Sequence, residues 1–412
     1  MGAEERGMSL GKEFLTELEI QEIRKRATVA ISPLQSADKS APYFYGRRTL
    51  AGQKLPPHYL VYFLLVDLLG FRHGGPQEKV AWSIPIEIDG SVAMIEHRKL
   101  GLGVFVPHEA GQSHSLGPAL PKNEAIATQI VQLIEKGIKA ATPFFNHLAS
   151  VAVSGSHLNV VNNSGWLYER YEYLRNEFRK KLQEATNRKD EEHTEEHKNS
   201  DGTTRYTETI YPVFQIRREA QWIGIAAIDA FFSWTEHVLI HIAVLCGRVT
   251  TGDEVDQLAG ADWADKVKKA MDVNDPSIKE LYDRLRSVRT QIRNYMAHGA
   301  FGKGGEAFEF HSIAGAVPVR LTEKAGKGRF SLLVEKSFDE GEALDTVDAF
   351  IAVLWAGHRA PAKLYLQESS LPVILTFAAN GTYQSAMASE EAMAQFVEGL
   401  ENRFAQAADM DW

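Results

Sequence analysis

Thiols are almost absent from this 412-residue chain, whose single cysteine is Cys246. One cysteine can form neither an internal disulfide nor a multi-thiolate zinc site, so stability must come from burying apolar side chains. Cys246 lies in an apolar stretch and reads as a small buried hydrophobe. Positive charge is not in surplus either. Lysine and arginine number 45 against 54 aspartates and glutamates, a formal net charge of −9. That balance excludes a surface coated for non-specific nucleic-acid binding, so any contact with a polyanion must come from a local basic patch. Uninterrupted apolar runs of membrane-spanning length are missing too. The nearest, 222–246, is broken by Asp229, Glu236, His237 and His241, and the N-terminal MGAEERGMSLGKEF lacks the apolar core of a signal peptide. Arg6 stands where a myristoylation signal prefers Ser or Thr. The expectation is a soluble cytoplasmic protein with no membrane partner.

Several catalytic signatures are also lacking. GAFGKGG at 299–305 and KAGKGRF at 324–330 do not have the spacing that wraps phosphates. There is no G-x-S-x-G elbow and no dinucleotide fingerprint after a strand. His73, His97 and His108 stand isolated in the sequence and belong to no motif. What remains is an ordinary globular composition, 44% hydrophobic and 24% charged, long enough for two or three domains.

Periodicity organises that material. Residues 12–28 place Phe14, Leu15, Leu18 and Ile23 at helical intervals. PYFYGRR follows as a loop, and the Leu-rich run at 59–71 reads as a helix. Two strand-like runs flank Asp89-Gly90, a turn-favouring pair, and a Gly/Ser/Pro/His-rich loop at 109–121 leads into an amphipathic helix at 122–140. From 164 the character becomes mainly helical. Leu167, Tyr171, Leu174, Phe178 and Leu182 mark one long helix, and further helices are expected at about 215–246, 262–271 and 276–298. The polar stretch NRKDEEHTEEHKNSDGTT between the first two reads as an exposed loop or frayed end. Strand-like pieces within 299–343 suggest a small hairpin or sheet. The segment DTVDAFIAVLWAGHRAPAKLYL reads as one helix, VILTF-AANG-TYQSA as a strand pair, and a helix is expected from 389.

Within the polar stretch, His193-Thr194-Glu195-Glu196-His197 fits the H-x-x-E-H pattern of one zinc protease class. On a helix the two histidines could meet a metal, but no apolar face would dock such a helix in a dry cleft. A solvated charge run is the better reading, and no metal site is expected.

The helix at 276–298 carries more chemistry. Asp275 suits its N-cap, Pro276 its first turn and Gly299 its stop. Ile278, Leu281, Leu285, Val288, Ile292, Tyr295 and Met296 form its apolar stripe, and Arg293, Asn294 and His298 fall off that stripe. Arg286, Arg289 and Arg293 lie along one flank as a basic ridge, where an RNA phosphate would sit. RNA cleavage needs a group near neutral pKa to move a proton, which imidazole supplies, and a fixed cation on the phosphate, which guanidinium supplies. Arg293 and His298 stand about 140° apart around the helix, so a second copy of the helix could complete the pocket. On the residues alone, a histidine at the negative helix end beside a surface arginine accounts for the same pattern equally well.

Arg293-Asn294 followed by His298, on a helix ending Ala297-His298-Gly299, resembles the signature of the HEPN superfamily (higher eukaryotes and prokaryotes nucleotide-binding). That signature is an arginine, four to six residues, then a histidine, commonly with asparagine after the arginine. FFSWTEHVL at 231–239, where Asp229, Ser233, Glu236 and His237 form a polar strip, is similar to the acidic helix that faces the Arg–His helix in that superfamily. The resemblance spans 164–366. It implies a mainly helical HEPN-like bundle there; the patterning of the rest makes the chain α+β, with a small β-hairpin insertion at about 305–336 that departs from the minimal bundle, an N-terminal mixed α/β domain over 1–160 whose role is open, and a C-terminal strand pair and helix over 367–412. The resemblance further implies a metal-independent endoribonuclease that uses no cofactor, leaves a 2′,3′-cyclic phosphate and builds one composite site in a homodimer. His298 would be the general acid or base, Arg293 the phosphate clamp, Asn294 an orienting group and Glu236 a supporting partner. Such enzymes serve as toxins or in antiphage defence, with an inhibitory partner protein possible. The alternative is a non-catalytic HEPN-like module that binds nucleic acid or protein. Ala300 replaces a tyrosine that is a modification target in one toxin subgroup, so adenylylation there is not expected.

Overall fold

A computed structural model describes residues 14–37, 47–106, 120–298, 308–313, 315–321, 330–331, 339–369 and 371–409. Within those elements, the side chains of 293–298, 308–309, 318, 320–321, 330–331 and 407–409 lie outside the description. The chain is mixed α and β, mainly helical, with small antiparallel sheets. It divides into two compact units, one comprising 1–155 with 403–412 and the other 156–402.

The first unit opens with α1 (Glu17–Ile31), which begins at a reciprocal cap: Thr16 accepts from the Glu19 N–H while Glu19 accepts from the Thr16 N–H. Its core face is Ile23, Ala27 and Ile31, whereas Leu18 and Phe14 are exposed, so the expected apolar stripe was displaced by part of a turn. Short strands β1 (Gln35–Ser36) and β2 (Arg47–Arg48) follow. The Leu-rich run is helical, as α2 (His58–Tyr62) widening into a π-helix over Phe63–Leu68. Then come β3 (Val80–Ile88), β4 (Ser91–Arg98) and β5 (Gly101–Val106). The β3–β4 turn is Asp89-Gly90, both at positive φ, which is the geometry a two-residue hairpin needs. Two strands were expected here; the second run instead folds back at Lys99-Leu100, a turn with no Asn-Gly or Asp-Gly pair to announce it. The sheet order is β1-β3-β4-β5-β2. Its inner residues Ile84, Ile86, Ile88, Ala93, Ile95, Val104 and Val106 pack with α1, the π-helix and α3 (Pro121–Ser154) in an aliphatic core. Helix α3 runs fourteen residues beyond the expected 140, because Ala141, Phe144 and Leu148 keep feeding that core. The expected loops around PYFYGRR and 109–121 fall mostly outside the described residues.

The second unit begins with β6 (Asn159–Val160) and α4 (Ser164–Asn187), then β7 (His193–Lys198), β8 (Thr204–Ile210) and α5 (Pro212–Leu245). The polar stretch expected as a loop is therefore an antiparallel ribbon, turned through Asn199–Thr203 with Gly202 at φ 84°. Its thirteen residues are almost all exposed, so no period-two apolar face marked it. Helices α4 and α5 pack along their length, and Gly224 lets the Phe178 ring approach: a Cβ there would stand 3.0 Å from it. Around α5 gather α6 (Gly252–Gly260), α7 (Trp263–Ala270), α8 (Pro276–His298) and α9 (Glu340–Leu354), with the sheet β11-β10-β9 made from β9 (Phe308–Ser312), β10 (Gly315–Leu321) and β11 (Phe330–Ser331) inserted before α9. By length and composition α5 could cross a membrane, yet most of its apolar residues are buried in this core.

Two expectations for the C-terminal part fail. The segment read as one helix ends at Leu354, where the buried Arg359 donates to the carbonyls of Val353 and Leu354, and restarts as α10 (Ala360–Lys363) with a π-turn over Leu364–Glu368. The expected strand pair is one short strand, β12 (Val373–Ile374), followed by α11 (Leu375–Ala379) and α12 (Thr382–Ala386). Strand β12 pairs with β6, far away in sequence, and the buried Tyr383 hydroxyl accepts from the Ile374 N–H at 2.8 Å. Asn380-Gly381 is an interhelical turn rather than a hairpin. The last helix, α13 (Glu390–Asp409), buries Met393 and Leu400.

Candidate functional site

Helix α8 starts as its sequence dictates. Asp275 Oδ1 accepts from the Ser277 N–H at 2.9 Å and from the Ser277 hydroxyl at 2.7 Å, and Pro276 occupies the first turn where a missing N–H costs nothing. Ile278, Tyr282, Leu285, Val288 and Ile292 are buried, and Leu281 packs partly buried beside them. Arg286 is off this stripe and exposed.

Arg289 has a different fate. Its Nη2 donates to Glu236 Oε1 at 2.5 Å, and Lys266 Nζ donates to Glu236 Oε2 at 3.0 Å. One carboxylate on α5 thus ties down α7 and α8 together. Lys266 is 3% exposed, and the Arg289 guanidinium lies 5.5 Å from the Phe232 ring centre and 6.0 Å from that of Trp263. Trp263 donates from Nε1 to Thr235 Oγ1 at 3.0 Å and stacks on Tyr282. Burial pushes the Glu236 carboxyl up, but Lys266 and Arg289 outweigh it and hold the group below its usual range. Two cations on one anion leave the cluster with a net positive charge. Arg289 Nη1 is buried with no hydrogen-bond partner among the described residues.

The direction of α8 follows from two contacts. At one end Arg359 lies within electrostatic reach of Arg248, just past α5, and of Asp275, which caps α8. Further along α8, Arg289 meets Glu236, which lies on α5 about three turns before Arg248. The two helices therefore run antiparallel. Helix α8 continues about 14 Å past Arg289 to His298, towards the level of Ala226–Ala230 on α5. There Ala226 and Asp229 are exposed, as is Ser233 one turn nearer Glu236. The backbone thus carries Arg293 and Asn294 one turn beyond the Glu236 cluster and His298 in the final turn. The side chains of Arg293, Asn294 and His298, like Gly299 and Ala300, lie outside the described residues.

Beside Glu236, two histidines of α5 do structural work. His237 Nε2 accepts the Asn163 N–H at 2.9 Å, and burial, aided by His241, pushes its pKa down to about 3. His241 has its ring nitrogens against the carbonyls of His237, at 2.8 Å, and Val161, at 3.2 Å. Burial lowers its pKa although both carbonyls favour the charged form. A neutral imidazole accepting a backbone N–H fixes the entry to α4, and His237 is thereby occupied.

The H-x-x-E-H residues lie on β7, not on a helix. His193 pairs with Glu191 at 2.8 Å, while His197 pairs with Glu208 at 3.3 Å and stacks on Tyr206. No group of three metal-ligating side chains occurs among the described residues. Lys266 was not singled out in the sequence, though a signal was present: in WADKVKKA it falls on the same face as Trp263, Val267 and Ala270, the side that must be buried. Comparison with protein-family models, curated proteins and solved structures finds no match to this chain.

Proposed function

We propose that the second unit is a metal-independent endoribonuclease of the HEPN type, acting in the cytoplasm as a toxin or antiphage effector and as a homodimer. The observation that supports this reading is the Arg289–Glu236–Lys266 cluster. It sets α8 against α5 with a net positive charge one turn before Arg293. In the proposed reaction His298 moves the proton of the 2′-hydroxyl or of the leaving group, and Arg293 neutralises charge building on the phosphate. Asn294 orients the imidazole or the substrate. Arg286 is exposed and free to take a neighbouring phosphate, while Arg289 serves through its grip on Glu236, as a positioning residue rather than part of an open ridge.

The test is RNA cleavage by the purified chain in EDTA. Arg293→Ala and His298→Ala should each abolish cleavage, and any growth inhibition on expression, with the protein still folded. RNA left intact by the wild type, with or without added metal, would establish the binding-module alternative instead.

A further inference from the structure

One stretch of the first unit brings a run of aromatic rings together with several backbone irregularities. The unit's main buried cluster is aliphatic except for Phe144, and six rings run in contact beside it. Tyr59 packs edge-on to His58; His58 stacks on His97 with centres 4.2 Å apart and planes 9° apart; His97 meets Trp82 at 5.6 Å; Trp82 meets Tyr62 at 5.4 Å; and Tyr62 meets His73 at 5.4 Å. His58, Tyr59 and His73 are exposed and the other three half-exposed, so the row is reachable from solvent.

Three backbone departures sit at this row. The π-helix over Phe63–Leu68 directly follows Tyr62, a β-bulge at Ala81 re-aims Trp82, and Lys79 takes φ 64°. Such departures persist where a site needs them, because each costs local stability. The positive φ at Lys79 brings its turn beside Lys99, whose N–H donates to the Lys79 carbonyl. The two lysines thus stand about 7 Å along the strands from the His97–Trp82 pair. Among the described residues the Lys79 ammonium pairs with the exposed Glu78, which binds it weakly. At the opposite end the Asp67 carboxyl, raised by burial against the nearby His73, offers a further hydrogen-bonding group.

We propose that this row is a binding site for a free nucleotide, the base stacking on His58 and Trp82 and the phosphate lying at Lys79 and Lys99. Flat rings with imidazole, phenol and carboxyl edges match a heteroaromatic base better than they match an aliphatic protein surface. A pair of lysines at one end supplies what the phosphate needs. The site belongs to the first unit alone and does not rest on the ribonuclease reading.

Calorimetric titration of the full chain with AMP, adenosine and ribose 5-phosphate tests it. AMP should bind, adenosine more weakly and ribose 5-phosphate not at all. Trp82→Ala and His58→Ala should each weaken AMP by about tenfold, the usual loss for one stacking ring. His58 is exposed, so its variant keeps the fold if Trp82→Ala does not. Lys79→Ala with Lys99→Ala should weaken AMP several-fold while leaving adenosine unchanged. Absence of heat with AMP, GMP, CMP and UMP overturns the proposal, as does wild-type affinity in His58→Ala and Trp82→Ala. AMP binding unchanged in Arg293→Ala separates this site from the proposed cleavage site; loss there with retention in His58→Ala overturns the assignment.

Discussion

Replacing Glu236 by Gln should cost more than replacing Lys266 by Met, and doing both should cost less than the sum. Glu236→Gln leaves the guanidinium of Arg289 and the ammonium of Lys266 converging on a neutral amide, with the lysine side chain only 4% exposed. An uncompensated, fully buried charge costs about 3–5 kcal/mol. The Glu236 side chain is 34% exposed, so water screens part of that repulsion, and about 2–3 kcal/mol is expected. Lys266→Met keeps the apolar stem and leaves Glu236 paired with Arg289, for a loss of about 1 kcal/mol. In the double variant the buried ammonium is gone, so its penalty disappears and a coupling of about 1–2 kcal/mol results. Urea unfolding followed by tryptophan fluorescence reads this in the second unit, where Trp234, Trp263 and Trp355 lie in or against the core. Additivity of the two substitutions within about 0.5 kcal/mol would refute the claim that Glu236 is the anion keeping Lys266 buried.

Other consequences are equally specific. His237 titrates at about 3 when folded and near 6.5 when unfolded, so the unfolded chain takes up the extra proton as pH falls below about 6.5. Stability should therefore drop on acidification from pH 6.5 towards 4.5, by at most about 1.4 kcal/mol per pH unit from this group; His237→Gln, which keeps an acceptor for Asn163, should flatten that slope in unfolding at several pH values. Tyr383→Phe strips the Ile374 N–H of its acceptor and the Tyr365 hydroxyl of a partner, for an expected loss of about 1–3 kcal/mol in urea unfolding. Gly224→Ala presses a methyl against the Phe178 ring and Glu340 Cβ, and should lower the thermal midpoint by an amount equivalent to about 1–3 kcal/mol.

Legibility differed by element for physical reasons. Helix α8 could be read in full because cap, first-turn proline and apolar stripe all agree over Asp275–Ile292. Helices α4 and α5 were clear from three- and four-residue spacing. The β7–β8 ribbon was not, since both its faces are polar and pairing rests on backbone bonds; its turn signal, Asp201-Gly202, was in plain view. Residues 373–386 misled through Val373, Ile374 and Asn380-Gly381, which read as a hairpin, whereas the partner of β12 lies at 159–160 and the Tyr383 hydroxyl organises the rest. At the candidate site Glu236 and its arginine partner on α8 could be anticipated from charge on a buried helix. The face of α7 that Lys266 shares with Trp263, Val267 and Ala270 marks it as buried, but nothing in the spacing says which carboxylate it meets.

The β7–β8 ribbon has a practical meaning. It joins two helices that grip each other along their length, yet its own side chains support almost nothing. Among the described segments of the second unit, a protease should cut there first and leave the two fragments held together, because the interface between α4 and α5 survives the nick. The same loop, near Asp201-Gly202, is where a fluorescent reporter or an affinity tag could be spliced in, or the chain divided into two separately expressed halves, without disturbing the helices that carry Glu236 and Arg289.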